Sequence, residues 1–403
     1  MPTFKYIARD SKGKKVEGVL TVESHDILDE KLKEIGLFLI DAREVKDTGE
    51  GGFYFGRVKR REIILFTNHL AISINSGISI ISAMQDYADE TDNPKFKKII
   101  EDVLRQVNAG TSFSDALSKH PKVFSELYVS VVATGEATGN LDKVLTDLVG
   151  FLEWQEDLIS QIKQASIYPA FLISMIIGVI VVMMTFTLPK FIPILKKFNV
   201  ELPFPTKALI AVSGFFQHFW WVMLIFVVIF IVVYKITYKK PEGRYFWDKI
   251  KLKIPLFGKL HHKIVLSKFA HYFSILYSSG IGIIESFKII ERVVGNEVIK
   301  RAVARSAEEI EQGKSIYDSL VEEEVFPPLI LRMIQVGETT GNLDISLEKA
   351  SQYYDKEVPA AIKKMFATFE PLLIIFMGVV VLFIALAIFL PIYKLTSAIG
   401  ASK

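Results

Sequence analysis

The sequence predicts a mainly α-helical, polytopic membrane protein: two duplicated cytoplasmic helical-bundle domains, three transmembrane helices and a small N-terminal α/β module. Three observations predict it. A stretch ending at Asp142, Val-Ala-Thr-Gly-Glu-Ala-Thr-Gly-Asn-Leu-Asp, returns as Ile-Gln-Val-Gly-Glu-Thr-Thr-Gly-Asn-Leu-Asp ending at Asp344. Half of the 403 residues are apolar and the mean hydropathy is +0.33, high for a soluble chain. Three apolar stretches reach the roughly twenty residues that a bilayer requires.

The repeat comes first, because a long match at a fixed offset governs how every local motif is read. The offset is 202 at the repeated stretch and stays so downstream, where Pro169 matches Pro371 and Pro189 matches Pro391. Upstream it is 203: Phe66 matches Phe269, Ser76-Gly77 matches Ser279-Gly280, and Gly110 matches Gly313. Phe55-Gly56 and Phe257-Gly258 return to 202, so one small insertion and one small deletion separate the copies.

Residues 3–46 read as the α/β module. Phe4, Tyr6 and Ala8 alternate in strand fashion, Asp10 to Gly13 is a turn, and Val16 to Val22 is a second strand. Ser24 caps a helix through Ile35, and Phe38-Leu39-Ile40 returns as a strand. Asp47 to Gly52 is a flexible linker, closing a domain of residues 1–52.

Residues 53–168 form the first helical domain. Ile64, Leu65, Leu70 and Ile74 recur at helical spacing up to Gly77. Asn93-Pro94 opens the next helix, with Pro in the first turn, and Gly110 ends it. Ser112-x-x-Asp115 resembles a capping box, and Pro121 marks another break. Gly135 to Gly139 reads as a tight loop. Asn140 caps the following helix, whose positive end Asp142 favours. That helix extends to Tyr168, a rod of about 42 Å. Residues 235–370 hold the second copy, with Asn342 and Asp344 at the same cap. The spans fall within 169–189, 208–234 and 371–393, leaving a loop at 190–207 and a tail at 394–403. Pro169 and Pro371 stand where rods meet spans, and proline there is expected to kink or locally break the helix.

Each repeat is a soluble domain followed by an exit span. The middle span has no counterpart and brings the chain back. Lys235, Lys239, Lys240, Arg244, Lys249, Lys251 and Lys253 follow it, which places both domains in the cytoplasm by the positive-inside rule. The first span opposes this, with Lys163 before it and Lys190, Lys196, Lys197 and Lys207 after it. The seven-charge cluster and an N-terminus without an apolar signal core outweigh it. The net charge is +3, and the absence of cysteine excludes disulfides and thiolate metal sites.

No motif requires catalysis, a cofactor or a metal. Gly313-Lys314-Ser315 resembles the end of a phosphate loop, but Glu308 stands where that loop needs glycine, so a helix stop and cap is favoured. None of the seven histidines has metal-ligand spacing, and His261-His262 reads as a solvated basic approach to the bundle. Arg57, Lys59, Arg60 and Arg61 are candidate contacts for lipid headgroups or an acidic partner, with few aromatics interleaved to favour nucleic acid. In the duplicated loop, Gly135, Gly139, Gly337 and Gly341 are assigned to positive φ. Glu136 and Glu338 are read as closing the turn through backbone N–H groups, ahead of a docking contact. A divalent-ion site with Asp142 or Asp344 ranks below both. The spans hold no Asp, Glu, Lys or Arg, which argues against the alternative of a small-solute transporter or channel component.

These residues resemble the inner-membrane platform family of type II secretion systems and type IV pili (the PilC/GspF type). The likeness rests on Val336-Gly337-Glu338-x-Thr340-Gly341-Asn342-Leu343-Asp344, Tyr353-Tyr354, Glu357-Val358, Glu370-Pro371-Leu372-Leu373 and Leu390-Pro391-Ile392-Tyr393. Pro255-Leu256-Phe257-Gly258 and Tyr277-Ser-Ser-Gly280-Ile extend it. The first repeat carries weaker copies, with Tyr168-Pro169 in place of Glu370-Pro371. The resemblance spans residues 4–395. It implies a multi-pass protein of the cell inner membrane that is not an enzyme. Its implied partners are a cytoplasmic assembly ATPase, pilin or pseudopilin subunits, other inner-membrane assembly proteins, membrane lipids and further copies of itself in a homo-oligomer. Pro169 and Pro371 become candidate transmission junctions between ATPase-driven motion and the membrane.

Overall fold

The computed structural model describes residues 3–10, 15–21, 27, 33, 37–45, 58–187, 190, 193 and 203–400. The N-terminal unit contains an antiparallel three-stranded sheet of β1 (Thr3–Asp10), β2 (Lys15–Thr21) and β3 (Leu37–Val45), in the order β2-β1-β3. Phe4 pairs with Leu20 and Ala8 with Val16, and the β1–β3 register shifts between Ile7 and Ala8. The helix expected over Ser24–Ile35 lies almost wholly outside the described residues.

From Val58 the described chain is helical. The first bundle comprises α1 (Arg60–Asn75), α2 (Ile80–Glu90), α3 (Pro94–Asn108), α4 (Phe113–Ser118), α5 (Glu126–Thr138) and the start of α6 (Leu141–Val182). After α6 comes one π-helical turn at Met183–Thr187, then α7 (Phe204–Tyr238) and α8 (Pro241–Lys253). The second bundle is α9 (Phe257–Ser278), α10 (Ile283–Val293), α11 (Glu297–Glu311), α12 (Ile316–Val321), α13 (Pro328–Thr340) and the start of α14 (Leu343–Gly400). Helix order is the same in both.

The change of offset has a location. α4 and α12 start 203 residues apart, whereas α5 and α13 start 202 apart, so the second copy loses one residue in the intervening connection. That shorter connection puts Glu324 at a φ of 51°, a conformation that costs a side-chain-bearing residue energy.

Both cores are built around one phenylalanine. Phe66 is fully buried, 5.6 Å from Phe96 and 6.0 Å from Phe124 between ring centroids. Its counterpart Phe269 lies 5.0 Å from Phe326 and 6.1 Å from Phe287. Burying such a ring contributes about 1.5–3 kcal/mol. The two cores are continuous, because α5 and α6 of the first bundle lie against α9 and α10 of the second.

α6 and α14 leave the bundles as apolar rods. Leu141–Phe186 and Leu343–Pro391 are long and apolar enough to cross a membrane, and only 11% of the most apolar stretch in each is buried within the chain. The expected break at the prolines does not occur. α6 runs through Pro169, and α14 runs through Pro359, Pro371 and Pro391. The one backbone bond lost at each proline is small beside the many others in helices of 42 and 58 residues. A small apolar cluster of Met184, Leu209, Ile384 and Ala387 joins the rods to α7. Within it, Thr206 Oγ1 donates to Ala387 O at 2.7 Å and Ser213 Oγ to Met184 O at 3.2 Å, which satisfies hydroxyls in an apolar setting.

Candidate functional site at the duplicated turn and the rod junctions

The repeated stretch is a helix end followed at once by a helix start. Gly139 and Gly341 terminate α5 and α13 in the left-handed region, each at φ 71°, ψ 10°. Their assignment to positive φ holds. Gly135 and Gly337 differ: they lie inside α5 and α13, and the loop reduces to two residues. What they supply is close approach between helices. A Cβ on Gly135 would sit 3.0 Å from Val144 Cβ, and one on Gly337 would sit 2.8 Å from Ser346 Cβ and 2.9 Å from Leu343 Cα.

The cap at the rod start also differs from expectation. Asn140 makes no side-chain cap bond, and Asn342 Nδ2 donates back to Thr340 O at 3.2 Å. The backbone alone begins the helix, with Asp142 and Asp344 in the first turns.

Glu136 and Glu338 do not close their own turn. Each reaches the N-terminus of the short helix preceding its own. Glu136 accepts from Phe113 N at 2.7 Å, Ser114 N at 3.0 Å and Ser114 Oγ at 2.8 Å. Glu338 accepts from Ile316 N at 2.7 Å and Tyr317 N at 3.0 Å. The next amide in each helix donates to a serine, Asp115 N to Ser112 Oγ and Asp318 N to Ser315 Oγ. All three first-turn donors are therefore satisfied, and the carboxylate lies at the positive end of the helix. Gly313 and Ser315 are thus a helix stop, at φ 93°, and a cap.

The rods touch at equivalent positions. Tyr168 Oη donates to Glu370 Oε1 at 3.0 Å, beside Pro169 and Pro371, and this bond raises the Tyr168 pKa. Nearer the bundles, Trp154 of α6 stacks on His271 of α9 at 3.7 Å, and His271 Nε2 lies 3.2 Å from Asp355 Oδ1 of α14. Gln155 donates to Tyr272 Oη at 3.3 Å, and burial pushes that phenol up to about 12. A cleft of about 340 Å³ remains beside these contacts, lined by Trp154, Asp157, Ser267, Tyr354 and Asp355 among others. Among the described residues, no group of three or more His, Cys, Asp or Glu side chains is placed to hold a metal.

The middle helix is fastened as well. Buried Asp248 of α8 accepts from Lys251 Nζ at 2.8 Å, Tyr238 Oη at 3.2 Å and Glu297 N at 2.9 Å. It ties the end of α7 to the start of α11, and it raises the Lys251 pKa against the opposing effect of burial. His261 and His262 are packed here, not solvated: His262 Nε2 lies 2.8 Å from Val325 O, and burial lowers the His261 pKa. Of the basic cluster, Arg57 lies outside the described residues, while Lys59, Arg60 and Arg61 are exposed. Burial, with Arg60 as a second cause, lowers the pKa of Lys268.

Sequence reasoning missed the Trp154–His271–Asp355 and Tyr168–Glu370 contacts. A signal existed. Tyr168 and Glu370 are repeat counterparts that differ, and so are Trp154 and Lys356, because the copies meet there in different environments.

These features define a class: proteins made of duplicated six-helix bundles whose last helix continues as an apolar rod long enough to cross a membrane. A family model described as "Type II secretion system (T2SS), protein F" matches residues 66–189 and 269–391, and one described as its N-terminal domain matches residues 1–43. The chain belongs to the type II secretion system protein F family. It is 34% identical to type IV pilus assembly protein PilC of Thermus thermophilus, covering 99% of this chain and 100% of the relative. Identity to PilC of Myxococcus xanthus is also 34%, over 98% and 95% of the two chains. Type II secretion system protein F of Vibrio cholerae is 30% identical, over 98% and 99%.

Proposed function

We propose that this chain is the inner-membrane assembly platform of a type IV pilus or type II secretion machine, coupling a cytoplasmic assembly ATPase to polymerisation of pilin or pseudopilin subunits. The names of full-length relatives support the process. One structural observation supports the coupling: α6 and α14 each run unbroken from a bundle core into an apolar rod, through Pro169 and Pro371.

In this reading residues 1–52 are an α/β module and linker. The bundles at 53–168 and 235–370 face the cytoplasm. The spans are 169–189, 208–234 and 371–393, with 190–207 and 394–403 outside. Helix α7 reaches over Phe204–Tyr238, long enough for the return crossing. Basic side chains after it favour a cytoplasmic location for the second bundle. Lys59, Arg60 and Arg61 remain candidate contacts for lipid or an acidic partner. The duplicated turns hold the cap on which each rod is seated, and the assembled protein is a homo-oligomer.

The test is complementation with recovery. In a host lacking the gene, the tagged chain restores filament assembly or secretion and recovers the assembly ATPase from solubilised membranes. Equal membrane retention of the ATPase with and without this chain, together with unimpaired assembly, overturns the reading.

A further inference from the structure

The contact between the two bundles uses different faces. The first bundle presents α5 and α6, and the second presents α9 and α10, with one flank of α14 also lying along α6. The complementary faces are left over: α1/α2 of the first bundle, and in the second α13 with the flank of α14 that carries Tyr353 and faces away from α6.

Isoleucines mark what this leaves exposed. Ile275 and Ile281, on the covered face, are 6% and 8% exposed. Their repeat counterparts Ile72 and Ile78 are 59% and 44% exposed, and Ile81, counterpart of half-buried Ile284, is exposed too. The opposite face behaves alike. Phe151 is buried with its ring 5.4 Å from Tyr272, while its counterpart Tyr353 is 39% exposed. Thr134, whose Cγ2 lies 3.8 Å from where a Cβ on Gly280 would be, corresponds to Val336, which is 52% exposed. Each bundle therefore keeps apolar residues at both halves of one contact, although Lys356 replaces Trp154, and the chain uses only one half of each. Apolar patches of this kind mark association surfaces.

We infer that the α1/α2 face of one copy receives the α13/α14 face of a second copy, in the geometry that joins the two bundles within the chain. The occupant is a second copy because the complementary surface is already present in each chain, and its sister surface already sits on the sister of this face. A contact of this kind is heterologous, so it closes into a ring or continues from copy to copy. The inference rests on the homo-oligomer reading above and names the surfaces that form it.

The chain has no cysteine, so single introduced thiols report cleanly. The Thr134–Gly280 contact, carried across copies, places Val336 beside Gly77 and Ile78. Two differently tagged full-length chains, one V336C and one I78C, are co-expressed in membranes and treated with a short bismaleimide. The mixed pair cross-links, and neither V336C with itself nor I78C with itself does. Adding Ile72→Asp to the I78C partner lowers the mixed product roughly tenfold or more, while bundle melting is unchanged. The same change at Ile275, inside the chain, lowers the melting temperature. Monomers only, by light scattering of the solubilised chain, refute the homo-oligomer reading itself. An oligomer in which I78C pairs with itself, or in which I78C is captured only by a different protein, refutes this assignment of faces and leaves that reading standing.

Discussion

Replacing Glu338 or Glu136 by alanine separates a structural carboxylate from a docking one. Glu338 holds two amides of α12, and Glu136 holds two amides of α4 plus the Ser114 hydroxyl. A hydrogen bond to a charged acceptor contributes about 1.5 kcal/mol at the lower end of its range. These sites are only partly buried, so water replaces part of each bond, and half that figure is appropriate. E338A should then lose about 1.5 kcal/mol and E136A about 2 kcal/mol, with the Ser114 bond making the difference. E338Q keeps one acceptor oxygen and should lose about half as much as E338A. The assay is denaturant unfolding of the purified chain in detergent, followed by far-UV circular dichroism. If both alanine variants unfold within about 0.5 kcal/mol of the parent yet fail to support assembly, the carboxylates contact a partner and the capping argument is wrong.

Three further outcomes are expected. G337A should cost about 2–3 kcal/mol and more than G135A, because its added methyl meets the Leu343 backbone as well as Ser346; G341V should also destabilise, through its φ of 71°, and equal melting temperatures for all three would refute this. Tyr272, raised to about 12 by burial, stabilises the fold fully below the ordinary phenol pKa of about 10 and loses that contribution as pH rises toward 12; Tyr272→Phe should remove about 2–3 kcal/mol of the stability lost between those values, and an unchanged alkaline profile would contradict it. Topology reporters within 1–160 and 260–365 should read as cytoplasmic and one near Phe198 as external. An external signal from the first bundle would reverse the orientation.

Most of the helical plan was legible because the punctuation is chemical. Ser112 caps a helix as its spacing to Asp115 indicates, and Gly77, Gly110, Gly139 and Gly341 end helices, whereas the caps at Ser79 and Ser125 are visible only in the structure. Gly135 and Gly337 were misread because glycine serves two needs, left-handed backbone and close approach, and only a tertiary neighbour tells them apart. The same holds for Glu136 and Glu338. The amides they accept from lie 21 to 23 residues earlier, beyond the reach of a local motif. The prolines do not break the rods, since one missing bond at each does not end a helix whose other bonds persist. The contacts between copies were invisible for a different reason. A repeat fixes what the bundles share, whereas Trp154–His271 and Tyr168–Glu370 depend on how they differ.

In the proposed coupling, the two rods carry motion from the bundles into the membrane. Inserting Gly-Gly-Ser-Gly between Tyr168 and Ala170, and again between Glu370 and Leu372, softens both junctions without touching either bundle core. Filament assembly or secretion is then measured, with melting of the bundles, membrane insertion and ATPase recovery as controls. The expected result is a folded, inserted, ATPase-binding protein that assembles nothing. Near-normal assembly with both junctions softened would show that the chain is a passive scaffold.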